Sequence, residues 1–300
     1  MTEQNDPSTT LRLVFPQWQG ADPSAVEAFV PEFPLGVGQT GYYLGGQILE
    51  LIVPATGGPT VTVPVDLGVD GLSVTDGVYA REKVLAQLRS ALTAIADHQP
   101  RRIVTLGGEC SVSVPPFSYL AQLYPDDVAV LWIDAHPDVG TPQSEYPGYH
   151  AMAVSHLLGH GDPEVVAALP GTIDGSKVAL VGLQSWTEDD FPHVVEWGLS
   201  TFSPTQLADN PGLVGEWLAS TGCSKVAIHL DVDVIGRDDV VFGLGPEPTG
   251  LSRDVVTRIM ADAGRRADVV AVSVAEYLPR QVIAVREFLR TLPLLGESTN

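Results

Sequence analysis

Short runs rich in valine and isoleucine recur along this chain, separated by longer stretches with the period of a helix. That alternation restricts the fold most, because strands apolar on both sides need helices over both faces, and a parallel sheet with helical crossovers supplies them. The runs predicted as strands are Leu11–Phe15, Val61–Val65, Arg102–Leu106, Val128–Ile133, Val178–Val181, Lys225–Leu230 and Asp268–Val274. Between Val78 and Asp97 the apolar residues Val84, Leu88, Leu92 and Ile95 recur every three or four positions, leaving Arg81, Glu82, Lys83 and Arg89 on the outer face. Similar periods predict helices over Ser252–Arg266 and Arg280–Leu292. The segments Pro54–Pro59 and Gly243–Gly250 read as loops, since neither is long, charged or repetitive enough for a linker. No domain boundary or internal repeat interrupts the pattern, so residues 1–300 are read as one α/β domain.

Thirty-seven acidic residues against 16 basic ones give a formal charge of -21. A surface of that sign repels phosphate backbones and anionic lipid, which sets aside nucleic acid and membrane surfaces as partners. Cys110 and Cys223 are the only cysteines, too few for a disulfide framework. Met1–Thr10 lacks the basic and apolar regions of a secretory signal, and no later apolar run is long enough to span a bilayer. The expectation is a soluble cytoplasmic protein.

The chemistry gathers where the predicted strands end. In Leu131-Trp132-Ile133-Asp134-Ala135-His136-Pro137-Asp138 a buried strand runs into three ligand-type side chains at alternate positions, and extended backbone points Asp134, His136 and Asp138 to one side. Open α/β sheets place their sites at such carboxyl ends, and this trio suits a divalent cation bound by oxygen and imidazole. Taken singly, the run also fits a turn with solvated carboxylates. Ile228-His229-Leu230-Asp231-Val232-Asp233 repeats the pattern at the end of another apolar strand. Four carboxylates in one crevice raise each other's pKa unless cations neutralise them, and two metals sharing a bridging water engage all four. A third strand ends in Gly107-Gly108-Glu109-Cys110-Ser111, whose glycines allow a tight turn that presents Cys110 to the same crevice.

These residues resemble the ureohydrolase family, the metal-dependent arginases, agmatinases and formiminoglutamases, whose motifs are Gly-Gly-Asp-His, Asp-Ala-His-x-Asp and Asp-x-Asp. The Asp134–Asp138 run matches the second motif in full, Asp231-Val232-Asp233 matches the third, and order and spacing agree from Ile103 to Pro279. The resemblance implies a single three-layer α/β domain around a central, mainly parallel, arginase-like sheet. It also implies two divalent metal ions, usually manganese, hydrolysis of a guanidino or formimino group, and a homotrimer or homohexamer. Carried over by position, it makes Asp134, His136, Asp138, Asp231 and Asp233 metal ligands, with Asp134 and Asp231 bridging. His150 falls where the family has a proton-shuttling histidine, and Glu276 where it has a carboxylate facing the substrate's cationic group.

The departures from the motifs are equally specific. Cys110 stands at the position of a metal-binding histidine, and Glu109 replaces the adjacent aspartate. A thiolate there brings the negative ligands to five and tilts selectivity from manganese toward zinc, nickel or iron. Gly140, Tyr146, Gly148 and Thr187 occupy positions where arginases carry partners for the amino acid end of arginine. The expected activity is therefore binuclear metal-dependent hydrolysis of a C–N bond in a small cationic guanidino-type compound other than arginine, with Asp138 orienting the attacking water. The alternatives are a catalytically idle assembly or regulatory subunit, suggested by loss of the first-motif histidine, and amide hydrolysis of the deacetylase kind, which uses one zinc and lacks the doubled ligand pattern.

Overall fold

A computed structural model describes residues 10–34, 36–244 and 248–296. Its strands are, in chain order, β1 (Thr10–Phe15), β2 (Thr60–Thr62), β3 (Val74–Thr75), β4 (Val78–Tyr79), β5 (Arg102–Gly107), β6 (Val128–Ile133), β7 (Val178–Val181), β8 (Ser200–Phe202), β9 (Lys225–Asp231) and β10 (Asp268–Ala275). β3 and β4 form a small antiparallel hairpin. The other eight make one sheet in the order β2-β1-β5-β10-β9-β6-β7-β8, with every neighbouring pair parallel.

Side-chain alternation divides the core in two. On β6, Val128, Val130 and Trp132 face the helices Arg81–His98, Val114–Leu123 and Ala153–Leu158, while Ala129, Leu131 and Ile133 face the helices Leu213–Ser220, Arg253–Arg266 and Val282–Leu289. The result is the expected three-layer arrangement. Each fully buried Val, Leu or Ile in these layers contributes about 1.5–3 kcal/mol. Among the described residues no helix is long and apolar enough to cross a membrane.

Most predicted elements shift by a residue or two, for identifiable reasons. The expected strand Val61–Val65 pairs only over Thr60–Thr62 and ends at Pro64, which has no N–H to give the ladder. Ser252 is the cap rather than the first turn of its helix, its hydroxyl accepting from Val255 N. The last expected helix begins at Val282, because Arg280 is held outside it by bonds to the carbonyls of Gly243 and Phe29 and Gln281 is left-handed. Residues 245–247 of the predicted loop Gly243–Gly250 lie outside the described residues.

The strand order positions the site. After β5 the chain crosses to β6, three places along, and β9 and β10 fill the intervening places. The carboxyl ends of β5, β10, β9 and β6 therefore lie side by side, where open α/β sheets bind their ligands.

Candidate metal centre

The turn after β5 presents Cys110. Gly108 is required by close approach rather than by its own backbone angle, since a Cβ there would stand 1.6 Å from the Gln17 carbonyl oxygen. Glu109 is wholly buried and caps the turn, its carboxylate accepting from Ser111 N at 2.7 Å and Ser111 Oγ at 2.8 Å and from Gln17 Nε2. It thus braces the turn from behind. Cys110 Sγ emerges 3.2 Å from Asp231 Oδ2 and 3.9 Å from Asp134 Oδ2.

Backbone N–H groups hold the carboxylates on both other strand ends. Asp134 Oδ1 accepts from His136 N at 2.7 Å, and Asp231 Oδ1 accepts from Asp233 N at 2.7 Å. Trp132 Nε1 adds a bond to Asp134 Oδ2 at 3.1 Å. His136 Nδ1 lies 3.4 Å from Asp134 Oδ1 and 3.2 Å from Asp233 Oδ2. Three groups of ligand-type atoms result among the described residues, each with all members within 4.8 Å of one another: Cys110, Asp134, His229 and Asp231; Asp134, His136 and Asp233; and Cys110, His150 and Glu276. Asp134 is shared by the first two, and Cys110 by the first and third. Asp138 belongs to none of the three, although it is buried among these charges.

His150 and Glu276 form the opposite wall. Glu276 Oε1 accepts from Cys110 N at 3.1 Å and lies 3.2 Å from His150 Nδ1, while His150 Nε2 lies 2.9 Å from Tyr146 Oη. Both Glu276 (φ 60°) and Asp138 (φ 48°) adopt left-handed backbone without being glycine, a strain that the surrounding structure must hold. Glu276 is fixed by its own N–H on the Gly108 carbonyl at 2.7 Å, and Asp138 by its carbonyl, which accepts from Val154 N at 2.9 Å.

The pocket residues divide. Tyr146 meets His150 edge to face, and its ring occupies the space a side chain at Gly148 would need, with a Cβ there 2.2 Å from the ring. Gly140 is buried, its N–H on the Ala151 carbonyl at 2.8 Å, so it supports the loop from within. Thr187 is exposed and its carbonyl accepts from Phe191 N at 3.3 Å.

Electrostatically the crevice is poor in positive charge. Burial first, and then Asp233, Asp134 and Glu276, push the Asp231 carboxyl well above its ordinary range. Burial and Asp134 do the same to Asp138, and burial with Asp138 and Asp231 raises the Cys110 thiol. Asp134 alone is held low, because the neighbouring imidazoles outweigh its desolvation. Asp138 Oδ2, Asp233 Oδ1 and His229 Nε2 are buried without a hydrogen-bond partner. Oxygen and nitrogen donors left unsatisfied among repelling carboxylates, with the Cys110 thiol beside them, fit divalent cations.

Cys110, Asp134, His136, Asp138, Asp231, Asp233, His150 and Glu276 come together in this crevice, whereas Thr187, expected in the substrate pocket, is exposed. His229 was missed, although its alternation with Asp231 and Asp233 was a usable signal. A parallel sheet whose central strand ends gather carboxylates, imidazoles and a thiol defines an α/β protein built around divalent metal. A match to the Arginase family runs over residues 55–286, and the chain belongs to that family. An arginase of Eremothecium gossypii is 31% identical over 194 residues, covering 61% of this chain and 48% of that protein, so the match spans about half of that relative's length. Among solved structures, the Entamoeba histolytica arginase in complex with L-ornithine has a TM-score of 0.74 at 18% identity, over 92% of this chain and 95% of that one. The proclavaminate amidino hydrolase of Streptomyces clavuligerus has a TM-score of 0.70 at 16% identity, over 98% and 93%. At such identities the likeness is one of fold.

Proposed function

We propose that the chain is a binuclear metal-dependent hydrolase that cleaves a C–N bond of a guanidino or formimino compound, releasing urea when the substrate is a guanidine. The observation that carries this reading is the sharing of Asp134 between two groups of ligand atoms. Membership in the Arginase family and the likeness in fold to an amidino hydrolase support the reaction class.

Asp134, His136, Asp138, Asp231, Asp233 and Cys110 would hold two divalent ions, which when bound supply Lewis acidity and lower the pKa of water. Asp134, common to two of the groups of ligand atoms, and Asp231 would hold the metals together, so one substitution at either would disturb the whole centre. Asp138, whose Oδ2 is buried and unpartnered, accepts a hydrogen bond from the attacking water and so orients it. His150 carries a proton to the departing amine. Burial opposes its charged form, but Tyr146, Glu276 and Asp138 outweigh that cost and raise its pKa, so a proton is available near neutrality. Glu276, buried and backed by the Cys110 N–H, holds the substrate's cationic group through charge-assisted hydrogen bonds. The thiolate of Cys110 would tilt the metal preference from manganese toward zinc, nickel or iron.

Arginine is not the preferred substrate in this reading. Tyr146 against His150 and the glycine at Gly148 leave few side-chain partners for an α-carboxylate and α-amino group. The test is urea and ammonia release after loading with each metal, across arginine, agmatine, guanidinobutyrate, an N-hydroxyguanidine and a formimino compound. The expected result is an arginine kcat/KM about a hundredfold below that of the best substrate, since several lost hydrogen bonds cost that much. Arginine ranking first would overturn the specificity, and metal uptake without any turnover would favour an idle assembly or regulatory subunit. A homotrimer or homohexamer belongs to the same reading, and sedimentation tests it.

A further inference from the structure

We propose that His229 is a ligand of one of these metals, joining Cys110, Asp134 and Asp231 in a mixed sulfur, nitrogen and oxygen shell. The inference rests on the binuclear reading above and adds a ligand to it. His229 sits within β9, fully buried, two residues before Asp231 and therefore on the same side of the strand. Its ring is stacked on Trp132, the residue opposite it in the register with β6, with centroids 3.6 Å apart and planes 10° from parallel. That same indole donates to Asp134 Oδ2. One side chain thus orients the imidazole and the carboxylate together.

The two ring nitrogens differ. Nδ1 is 2.8 Å from Ser113 Oγ, in the turn that carries Cys110. Nε2 has no hydrogen-bond partner, and its neighbour Asp134 Oδ2, at 3.8 Å, is beyond bonding distance. An imidazole kept only for packing would leave this nitrogen unsatisfied in the interior, which native structures rarely do. When Nδ1–H donates to the Ser113 hydroxyl, the lone pair of Nε2 is directed into the crevice, the usual relation between a metal-binding histidine and its outer partner. Nε2 and one ligand atom each of Cys110, Asp134 and Asp231 lie within 4.8 Å of one another, a span that small side-chain movements close onto a single ion.

The donor set names the class of ion. A thiolate and an imidazole beside two carboxylates suit a borderline divalent ion such as zinc or cobalt better than manganese. The imidazole that the Gly107–Cys110 turn lacks enters from β9 instead.

The test uses the full chain loaded with cobalt(II). Bound through Nε2, His229 keeps a buried Nδ1–H against Ser113, and the proton spectrum is expected to show a hyperfine-shifted imidazole N–H that exchanges slowly with solvent. The N–H of His136, on a half-exposed ring, exchanges fast. His229→Phe preserves the stack on Trp132 and removes the nitrogen. It is expected to lose the slow signal and to bind one of its two ions about tenfold or more weakly in chelator competition, with the other unchanged. His229→Cys, which restores a ligand atom, is expected to recover the affinity. A wild-type spectrum without the slow signal overturns the proposal, as does His229→Phe binding both ions with wild-type affinity and absorption. Either of those leaves the binuclear reading intact. Failure of the wild type to take up any metal removes the binuclear reading, and this proposal with it.

Discussion

The two edges of the sheet use the same residue types for opposite ends. At the amino edge, where strands begin, three carboxylates have a cation: Arg102 donates to both oxygens of Asp268, Lys225 to Asp127 and Lys177 to Asp126. At the carboxyl edge of those same strands Asp134, Asp138, Asp231, Asp233 and Glu276 meet histidines, a thiol and one another. At the amino edge, hydrogen bonds from Lys225 and Ser224 overcome desolvation and draw Asp127 down to about 2, while burial and neighbouring carboxylates drive Asp231 far up. One edge is complete as folded, and the other gains stability when a cation arrives.

Removing a carboxylate from each edge separates the two behaviours. Asp231→Asn is expected to lower kcat/KM by well over about a hundredfold, since outer-shell partners of metal ligands already cost about 10–100-fold. Its metal-free unfolding temperature should match or exceed that of the wild type, because one of several repelling charges is gone. Activity retained in the assays of urea release would show that the crevice is not the site. Metal addition should stabilise the wild type by about 2.7 kcal/mol at a hundred times the dissociation constant, read as a shift in the thermal melt, and Asp231→Asn should show much less.

The cysteines make a second pair across the sheet. Cys110 at the carboxyl edge should resist alkylation when metal is bound and react after chelation. Cys223, whose Sγ packs 3.8 Å from the Asp126 carbonyl at the amino edge, should respond to neither. A sulfur-to-cobalt charge-transfer band present in the wild type and absent in Cys110→Ser would add the thiolate to the ligand set, and identical spectra would remove it.

The smallest effect belongs to the amino edge. Asp127→Asn should cost about 1 kcal/mol in denaturant unfolding, the ordinary worth of charge-assisted bonds at a partly exposed site. The folded pKa of Asp127 lies below the unfolded value of about 3.9, so its contribution is present above that pH and is lost as pH falls toward 2. A loss equal to that of wild type between pH 4 and 2 in Asp127→Asn would contradict this.

The extended backbone expected to align Asp134, His136 and Asp138 is absent: β6 ends at Ile133, residues 134–136 bend and Asp138 is left-handed, so the turn rather than strand alternation brings them together. The ligand-type residues were legible all the same, because they follow directly on apolar strands. The short edge strand β8 was not, since Ser200–Phe202 carries too little apolar period to stand out from a loop. Nor does one-dimensional spacing reveal that β10 lies between β5 and β9, which is what joins Glu276 to Cys110. His229 was visible as a polar residue in an apolar strand, but its meaning depends on Trp132 and Ser113, which come from other elements.

The strand order also sets a timetable for folding. β5 and β6, which carry the first two ligand segments, are parted by the places that β9 and β10 will fill, so Lys225–Ala275 must be made before they share a sheet. In the finished sheet the three-stranded pieces β2-β1-β5 and β6-β7-β8 are joined only through β10 and β9, which pair the inner edges of both. A nascent chain stalled before residue 225 holds its thiol on one piece and its Asp134–Asp138 run on the other. Placing β9 and β10 pairs both inner edges and brings Asp231, Asp233 and Glu276 to the other ligands, so the full donor set exists only once the last strands are in place.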